Sequence, residues 1–445
     1  MSKLYCNPLL IAGIVGVGVM FPPSTRAQAG AGHPDVRRIV AGVDQERLRS
    51  NVETLARFET RNSMSDTLSD TRGIGAARRW IHAQFEGYSP RLEVGYDSYL
   101  LAPQGRIARE TMIRNVMAVL PGRSDRRIYV SGHYDTVARR PSDWAENDFD
   151  NPAPGANDDA SGTSLVMEMA RVLSQSGLEF DATLVFIAFA GEEQGLLGAR
   201  LHADRMAEEG VRVDAVFNND IVGNSVGGNG VSEADRVQVF SEGPTDSESR
   251  QIARYLHQQA SIYVPGHKVT TVARDDRFGR GGDHSAFNMA GYPAVRMTEA
   301  RENYAQQHTA DDLPEHMDWA YLQRNARVNA AAMASLALAP RAPQIENEGR
   351  TMLTRQPSGY DATLGWEPVP GVAGYRVYWR QAWQRDWENS MDLPADQHSF
   401  TLDGVSIDGH VFGVAALGPE GHSSLVSVYI RPVRERDPLE VIGGR

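Results

Sequence analysis

Cysteine is almost absent. The 445-residue chain carries one, Cys6, so no disulfide can close within it. A positive excess is absent too. The formal net charge is −12, which argues against a nucleic-acid partner and against docking on anionic lipid. Long apolar runs are missing after one early stretch, Leu9 to Phe21, so no later segment could span a bilayer. There is no internal repeat and no low-complexity region. What remains is ordinary globular material, 41% hydrophobic and 23% charged, at a length that fits two domains plus a processing segment.

The N-terminus predicts a signal peptide over residues 1–29. Lys3 supplies a short positive region, the run LLIAGIVGVGVMF follows, and Ala27 and Ala29 form an A-x-A-like cleavage site. An uncleaved anchor is the alternative, but the run is short and glycine-rich for a membrane span. Cleavage would remove Cys6 and release the protein to the periplasm or the medium.

Helical spacing marks Val43 to Phe58, behind Asp44 as a possible N-cap, and Ile74 to Phe85. Strands and helices then alternate. Ile113 to Leu120, Arg127 to Gly132, Thr183 to Ala190, Val213 to Val222, Arg236 to Ser241 and YPAVRM read as strands. Helices are expected over Ser161 to Leu173, LLGARLHADRMAEEG, SESRQIARYLHQQA and Asp318 to Leu336. TLVFIAFA is nearly unbroken in its apolarity, as a strand buried on both faces must be. The fold class is therefore α/β, a doubly wound, mostly parallel sheet with helices on both faces. Ligands in such sheets bind beyond the C-terminal ends of the strands. The expected domain spans 35–338. A Pro-rich linker, 339–354, precedes short alternating strands over 355–435 that predict a small all-β sandwich, with Trp366 in its core and Tyr375, Val377 and Trp379 on one face. Trp379, Trp383 and Trp387 are a candidate aromatic cluster.

Several motifs at strand ends carry chemistry. G-H-Y-D-T puts His133 and Asp135 two residues apart on extended backbone, where a carboxylate can fix a metal-bound imidazole. P-G-A-N-D-D-A-S-G places Asp158 and Asp159 before a helix, where plain capping is the simplest use. A-G-E-E-Q-G sets Glu192 and Glu193 at the mouth of the buried strand. Two carboxylates there repel, and a divalent cation would offset that. Asp220 ends another strand, and His308 lies in a polar turn with Asp311 and Asp312 as possible helix-start residues. D-H-S-A-F, Asp283 to Phe287, has no evident role. Of twelve histidines, His82, His202, His257, His316, His398, His410 and His422 sit in no metal-like context. Each motif alone is weak. Their gathering at the ends of one sheet is not, and imidazole with carboxylate suits zinc.

The ordered set G-H-Y-D, G-A-N-D-D-A-S-G, A-G-E-E-Q-G, N-N-D and H-T-A-D-D resembles the co-catalytic zinc exopeptidases of the bacterial leucyl aminopeptidase type, over roughly Arg49 to Leu338. The segment W-E-P-V-P-G-V-A-G-Y-R-V-Y-W-R resembles a fibronectin type III module. The first resemblance implies two zinc ions. His133, Asp158 and Asp220 would hold one; Asp158, Glu193 and His308 the other, with Asp158 bridging. It implies Glu192 as general base for a metal-bound water attacking the scissile carbonyl, and Asp135 as the partner of His133. The substrate would be a peptide, and no obligate protein partner is evident. Departures from the family lie in the substrate pocket. Gly279 or Arg280 stands about where those enzymes have a tyrosine, with Arg280 and Tyr304 as candidates for oxyanion assistance. Arg296, Thr298 and Glu299 replace largely apolar residues, which implies a preference that is not simply leucine-like. A carboxypeptidase, dipeptidase or other amidohydrolase on the same metals is the alternative, and a catalytically dead binding protein a further one.

Overall fold

The structure, a computed structural model, describes residues 32–138 and 149–430. The expected signal peptide and residues 431–435 of the expected module lie outside them. Among the described residues no helix is long and apolar enough to cross a membrane.

Three helices open the chain: α1 (Pro34–Ala41), α2 (Gln45–Ala56) and α3 (Gly73–Tyr88). Then come β1 (Glu93–Leu101), β2 (Thr111–Leu120), β3 (Arg127–His133), α4 (Ala160–Ser174), β4 (Thr183–Phe189), α5 (Leu197–Glu208) and β5 (Val213–Asn219). The series ends with β6 (Arg236–Ser241), α6 (Glu248–Tyr263), β7 (Lys268–Val272), α7 (Asp283–Met289), β8 (Ala294–Glu299) and α8 (Trp319–Leu338). The strands form one eight-stranded sheet in the order β1-β2-β4-β3-β5-β8-β6-β7. Its four central strands, β4, β3, β5 and β8, run parallel. On one side β2 is antiparallel to β4 and edge strand β1 is antiparallel to β2; on the other the parallel pair β6–β7 is antiparallel to β8. The chain leaves β3, crosses to β4, and returns to place β5 on the other flank of β3. That reversal opens the crevice where such sheets gather ligands.

Period-two burial explains the layering. In β4, Leu184, Phe186 and Ala188 join the core beneath α1, α2, α3, α4, α6 and α8, while Val185, Ile187 and Phe189 join a second core with Ala199, Ala203 and Met206 of α5 and Phe287 of α7. A strand buried on both faces has no room for polar residues, hence the unbroken run TLVFIAF. Edge strand β1 instead leaves most residues partly exposed.

The helix starts follow capping chemistry. The Asp44 carboxylate accepts from Glu46 N at 2.9 Å and Arg47 N at 3.3 Å, and that of Asp318 accepts from Tyr321 N at 2.9 Å. Asp318 therefore starts α8, not Asp311 or Asp312. The sequence patterns do not anticipate α1, α7, β1 or β7.

Beyond α8 the expected linker carries a small hairpin, Glu346–Asn347 with Arg350–Thr351. Two antiparallel sheets of three and four strands follow, around a core that includes Trp366, Tyr375 and Val377. Trp379 packs against that core, whereas Trp383 is exposed and Trp387 lies against Tyr378. The three tryptophans make no common cluster. These sheets rest directly on the first domain. Buried Arg380 reaches Asp246, Tyr255 Oη donates to Ser423 O at 3.3 Å, and Leu425 packs against the large core.

Candidate metal centre

β3 ends on His133, the loop before α4 presents Asp158, β4 runs into Glu192 and Glu193, and β5 into Asp220. Asp159 locks three of these ends together. Its carboxylate accepts from Gly162 N at 2.9 Å, His133 N at 3.0 Å and Ile221 N at 3.2 Å. It caps α4, as expected, and turns away from the cluster. The close approach needs glycine: a Cβ on Gly162 would run into Asn219 O and the Asp159 carboxylate.

Two groups of side chains converge, each with ligand atoms within 4.8 Å of one another: His133, Asp158 and Asp220, and Asp158, Glu193 and His308. Asp158 belongs to both. Its Oδ1 lies 3.2 Å from His133 Nε2 and its Oδ2 3.0 Å from His308 Nε2. His308 Nε2 is also 3.0 Å from Glu193 Oε1, and His133 Nε2 is 3.9 Å from Asp220 Oδ1. His308 holds a left-handed backbone, φ 56°, to reach in.

The crowding shows in the acidities. Burial opposes charge on His308, yet Glu193 and Asp158 raise it to about 10. Burial likewise opposes charge on His133, and Glu192 with Asp135 and Asp158 lifts it well above the usual range. Burial, together with Glu193, Asp220 and Asp283, pushes Glu192 well above an ordinary glutamate. Glu193 Oε1 is buried and, although His308 Nε2 is 3.0 Å away, takes no well-directed hydrogen bond. A carboxylate-rich floor with an orphaned oxygen calls for cations, and imidazole plus carboxylate donors fit zinc.

Asp135 does more than the sequence implied. His133 Nδ1 faces its backbone carbonyl at 3.1 Å, closer than its carboxylate at 3.6 Å. The carboxylate instead accepts the amides of Glu192 and Glu193, both at 3.2 Å. Sequence reasoning also missed three groups. Asp312 accepts from Asn157 N and Asp158 N, both at 2.9 Å, and burial raises its pKa to about 7. Arg61 is fully buried and donates to the carbonyls of Tyr134 (2.7 Å), Leu55 (3.0 Å), Pro154 (2.5 Å) and Gly155 (2.9 Å), which clamps the loops that carry Asp135 and Asp158. Asp283, at the start of α7, is buried with both oxygens unpartnered, and burial with Asp135 and Asp220 raises it to about 8. A buried arginine or aspartate carries no periodic signal; only Asp283 and Asp312 stood in motifs.

A cavity of about 780 Å³ opens over the cluster. Arg280 and Tyr304 line it, the guanidinium 5.2 Å from the ring centroid and held by Glu302 at 2.6 Å and Gln307 at 3.1 Å. Arg296 lines it too, but is 1% exposed and committed: its Nη2 lies 2.9 Å from Asp220 Oδ1 and its Nη1 3.6 Å from Asp276. It holds the Asp220 carboxylate in place. Glu299 does not reach the cavity. It is buried behind the Asp158 loop, accepting from Asn157 Nδ2 at 2.9 Å and Asn224 N at 3.1 Å, so the expectation that it reads substrate is corrected.

Residues 115–333 match the model of peptidase family M28. A probable zinc metalloprotease of Pyricularia oryzae is 37% identical, over 88% of this chain and 83% of its own. The LapA aminopeptidase of Legionella pneumophila shares the fold at TM-score 0.53 and 21% identity, over 69% of this chain and 76% of its own. Glutaminyl cyclase of Porphyromonas gingivalis does so at TM-score 0.53 and 16% identity, over 65% and 98%.

Proposed function

Because this chain belongs to peptidase family M28, a family of zinc metallopeptidases, we propose that it is an exported dinuclear zinc aminopeptidase whose working domain spans 35–338. The observation that carries the reading is the pair of three-residue groups that share Asp158. His133, Asp158 and Asp220 would hold one zinc, and Asp158, Glu193 and His308 the other. Bound there, zinc supplies Lewis acidity to a scissile carbonyl and lowers the pKa of water towards neutrality.

The chain's own groups do the rest. Glu192 lines the cavity beside both ligand groups, where its carboxylate can act as the general base that accepts a proton from the attacking water. The same carboxyl then gives that proton to the leaving amine. Asp135 holds the amides on either side of the Glu192–Glu193 junction, which fixes the base relative to His133. Arg61 and Asp312 hold the Asp158 loop. Arg280 and Tyr304 sit where they can meet the carbonyl oxygen or the substrate side chain. LapA, an aminopeptidase by its name, shares the fold and supports the exopeptidase reading.

The rim also carries Arg106 and Arg277. Arg277 is paired with Asp276 and Glu302, both at 2.9 Å, and Arg106 Nη1 donates to Glu193 O at 2.8 Å, so together they make the rim polar, which suits a preference that is not simply leucine-like. A polar rim would equally suit the free carboxylate of a carboxypeptidase substrate, which is the second reading. N-blocked and C-blocked dipeptides separate the two: hydrolysis only with a free amine supports the aminopeptidase, and hydrolysis only with a free carboxylate overturns it.

A further inference from the structure

We propose that His33, Glu420 and His422 form a second, structural metal site that binds a zinc-class divalent ion and clips the N-terminal segment to the C-terminal β module. The three ligand atoms lie within 4.8 Å of one another. His33 Nε2 is 3.4 Å from Glu420 Oε2, and His422 Nε2 is 3.9 Å from the same oxygen. The two imidazole rings stand 4.5 Å apart at 51°, too tilted to be a stack and suited to aim both Nε2 atoms at one point.

The second observation is His422 itself. It is 7% exposed, and its Nε2 is buried with no hydrogen-bond partner. A buried ring nitrogen without a donor or acceptor is costly, and a cation placed before it would use its lone pair. The surroundings are prepared. His33 is fixed by its own amide, which donates to Tyr263 Oη at 2.7 Å. The loop of Glu420 and His422 is fixed by Gly418 N to His422 O and Gly421 N to Gly418 O, both 2.9 Å, with Gly421 at φ 84°. His33 Nδ1 accepts from Asp35 N at 3.3 Å; an ion on Nε2 would place the proton on Nδ1 and turn it to Asp35 Oδ2, 3.9 Å away. Glu420 is largely exposed, so a water completes four-coordination. Two of the ligands come from a Glu-x-His pair in one turn and the third from far away in sequence, so no local spacing reveals the site.

The test counts zinc per chain in the zinc-loaded, desalted full-length protein and in Glu420→Lys and His422→Asn. Each variant is expected to hold one zinc fewer than the unsubstituted chain. Glu420 is exposed, so its replacement leaves the fold intact and the comparison fair. Equal zinc content in Glu420→Lys and the unsubstituted chain would overturn the proposal. Loss of the proposed catalytic zinc would lower all three counts together and leave the difference readable.

Discussion

Glu192 and Arg296 both face the cavity, and their substitutions should fail in opposite ways. Glu192→Gln keeps the shape but cannot accept a proton, so peptide hydrolysis should fall by ~10²-fold or more with zinc content unchanged. Metal analysis beside a rate measurement checks this, and full activity would sink the assignment. Arg296 is a buried cation between Asp220 and Asp276. Arg296→Met leaves those carboxylates facing each other and should cost roughly 3–5 kcal/mol of stability in the metal-free protein. Zinc held by Asp220, as proposed, would replace part of the lost charge, so the deficit should shrink in the loaded form. Urea unfolding with and without chelator reads both. Chelation itself should abolish hydrolysis of peptides, and zinc should restore it.

At the scale of elements, the joint between β3, α4 and β5 decides whether the centre assembles. Gly162→Ala pushes a methyl into Asn219 O and Asp159, an overpacking expected to cost about 1–3 kcal/mol and to loosen zinc. A lowered urea midpoint with weaker zinc retention would be seen. Much of this region was legible in the sequence. Strands buried on both faces advertise themselves by unbroken apolarity, as TLVFIAF does, and the capping residues Asp44 and Asp159 read correctly. The same logic explains what was missed. β1 lies at the edge with most residues half in water, so its pattern EVGYDSYLL blurs. α7 is seven residues long, too short for helical periodicity. The antiparallel sense of β6 is set by tertiary pairing with β8, which no local pattern records. Within the site, the residues on strand ends were legible. Arg61 was not, because it acts on backbone carbonyls, and Glu299 was misplaced because, three residues on from Arg296, it falls on the other side of β8 against Asn157 and Asn224.

Across the whole molecule, the C-terminal sheets are a packed part of the protein. Arg380 contacts Asp246, and Arg254 Nε donates to Arg385 O at 2.9 Å. A chain ended near Ala339 exposes Tyr255 and the apolar surface that Leu425 covers, and should melt lower and aggregate on heating, as a thermal scan would show. Acid should weaken the fold through His267. Its Nε2–H donates to Asn325 Oδ1 at 2.7 Å, its Nδ1 is buried without a partner, and burial lowers its pKa below the ordinary value. The neutral ring is the folded form. Its contribution is therefore complete above about pH 6.5 and is lost as the pH falls through the depressed folded pKa. His267→Gln should flatten that part of a stability-against-pH curve.

The contact between His33 and His422 has a consequence for biosynthesis. A ribosome makes residue 33 long before residue 422, and export through a membrane would deliver the chain in the same order. The segment that carries α1 can dock on α6 through Tyr263 as soon as that helix forms, but its ring meets its partner only when the last loop arrives. Among the described residues the last closure joins His33 to the loop of residues 418–422, so an unfinished or truncated chain keeps α1 docked but leaves the His33 ring without its partner.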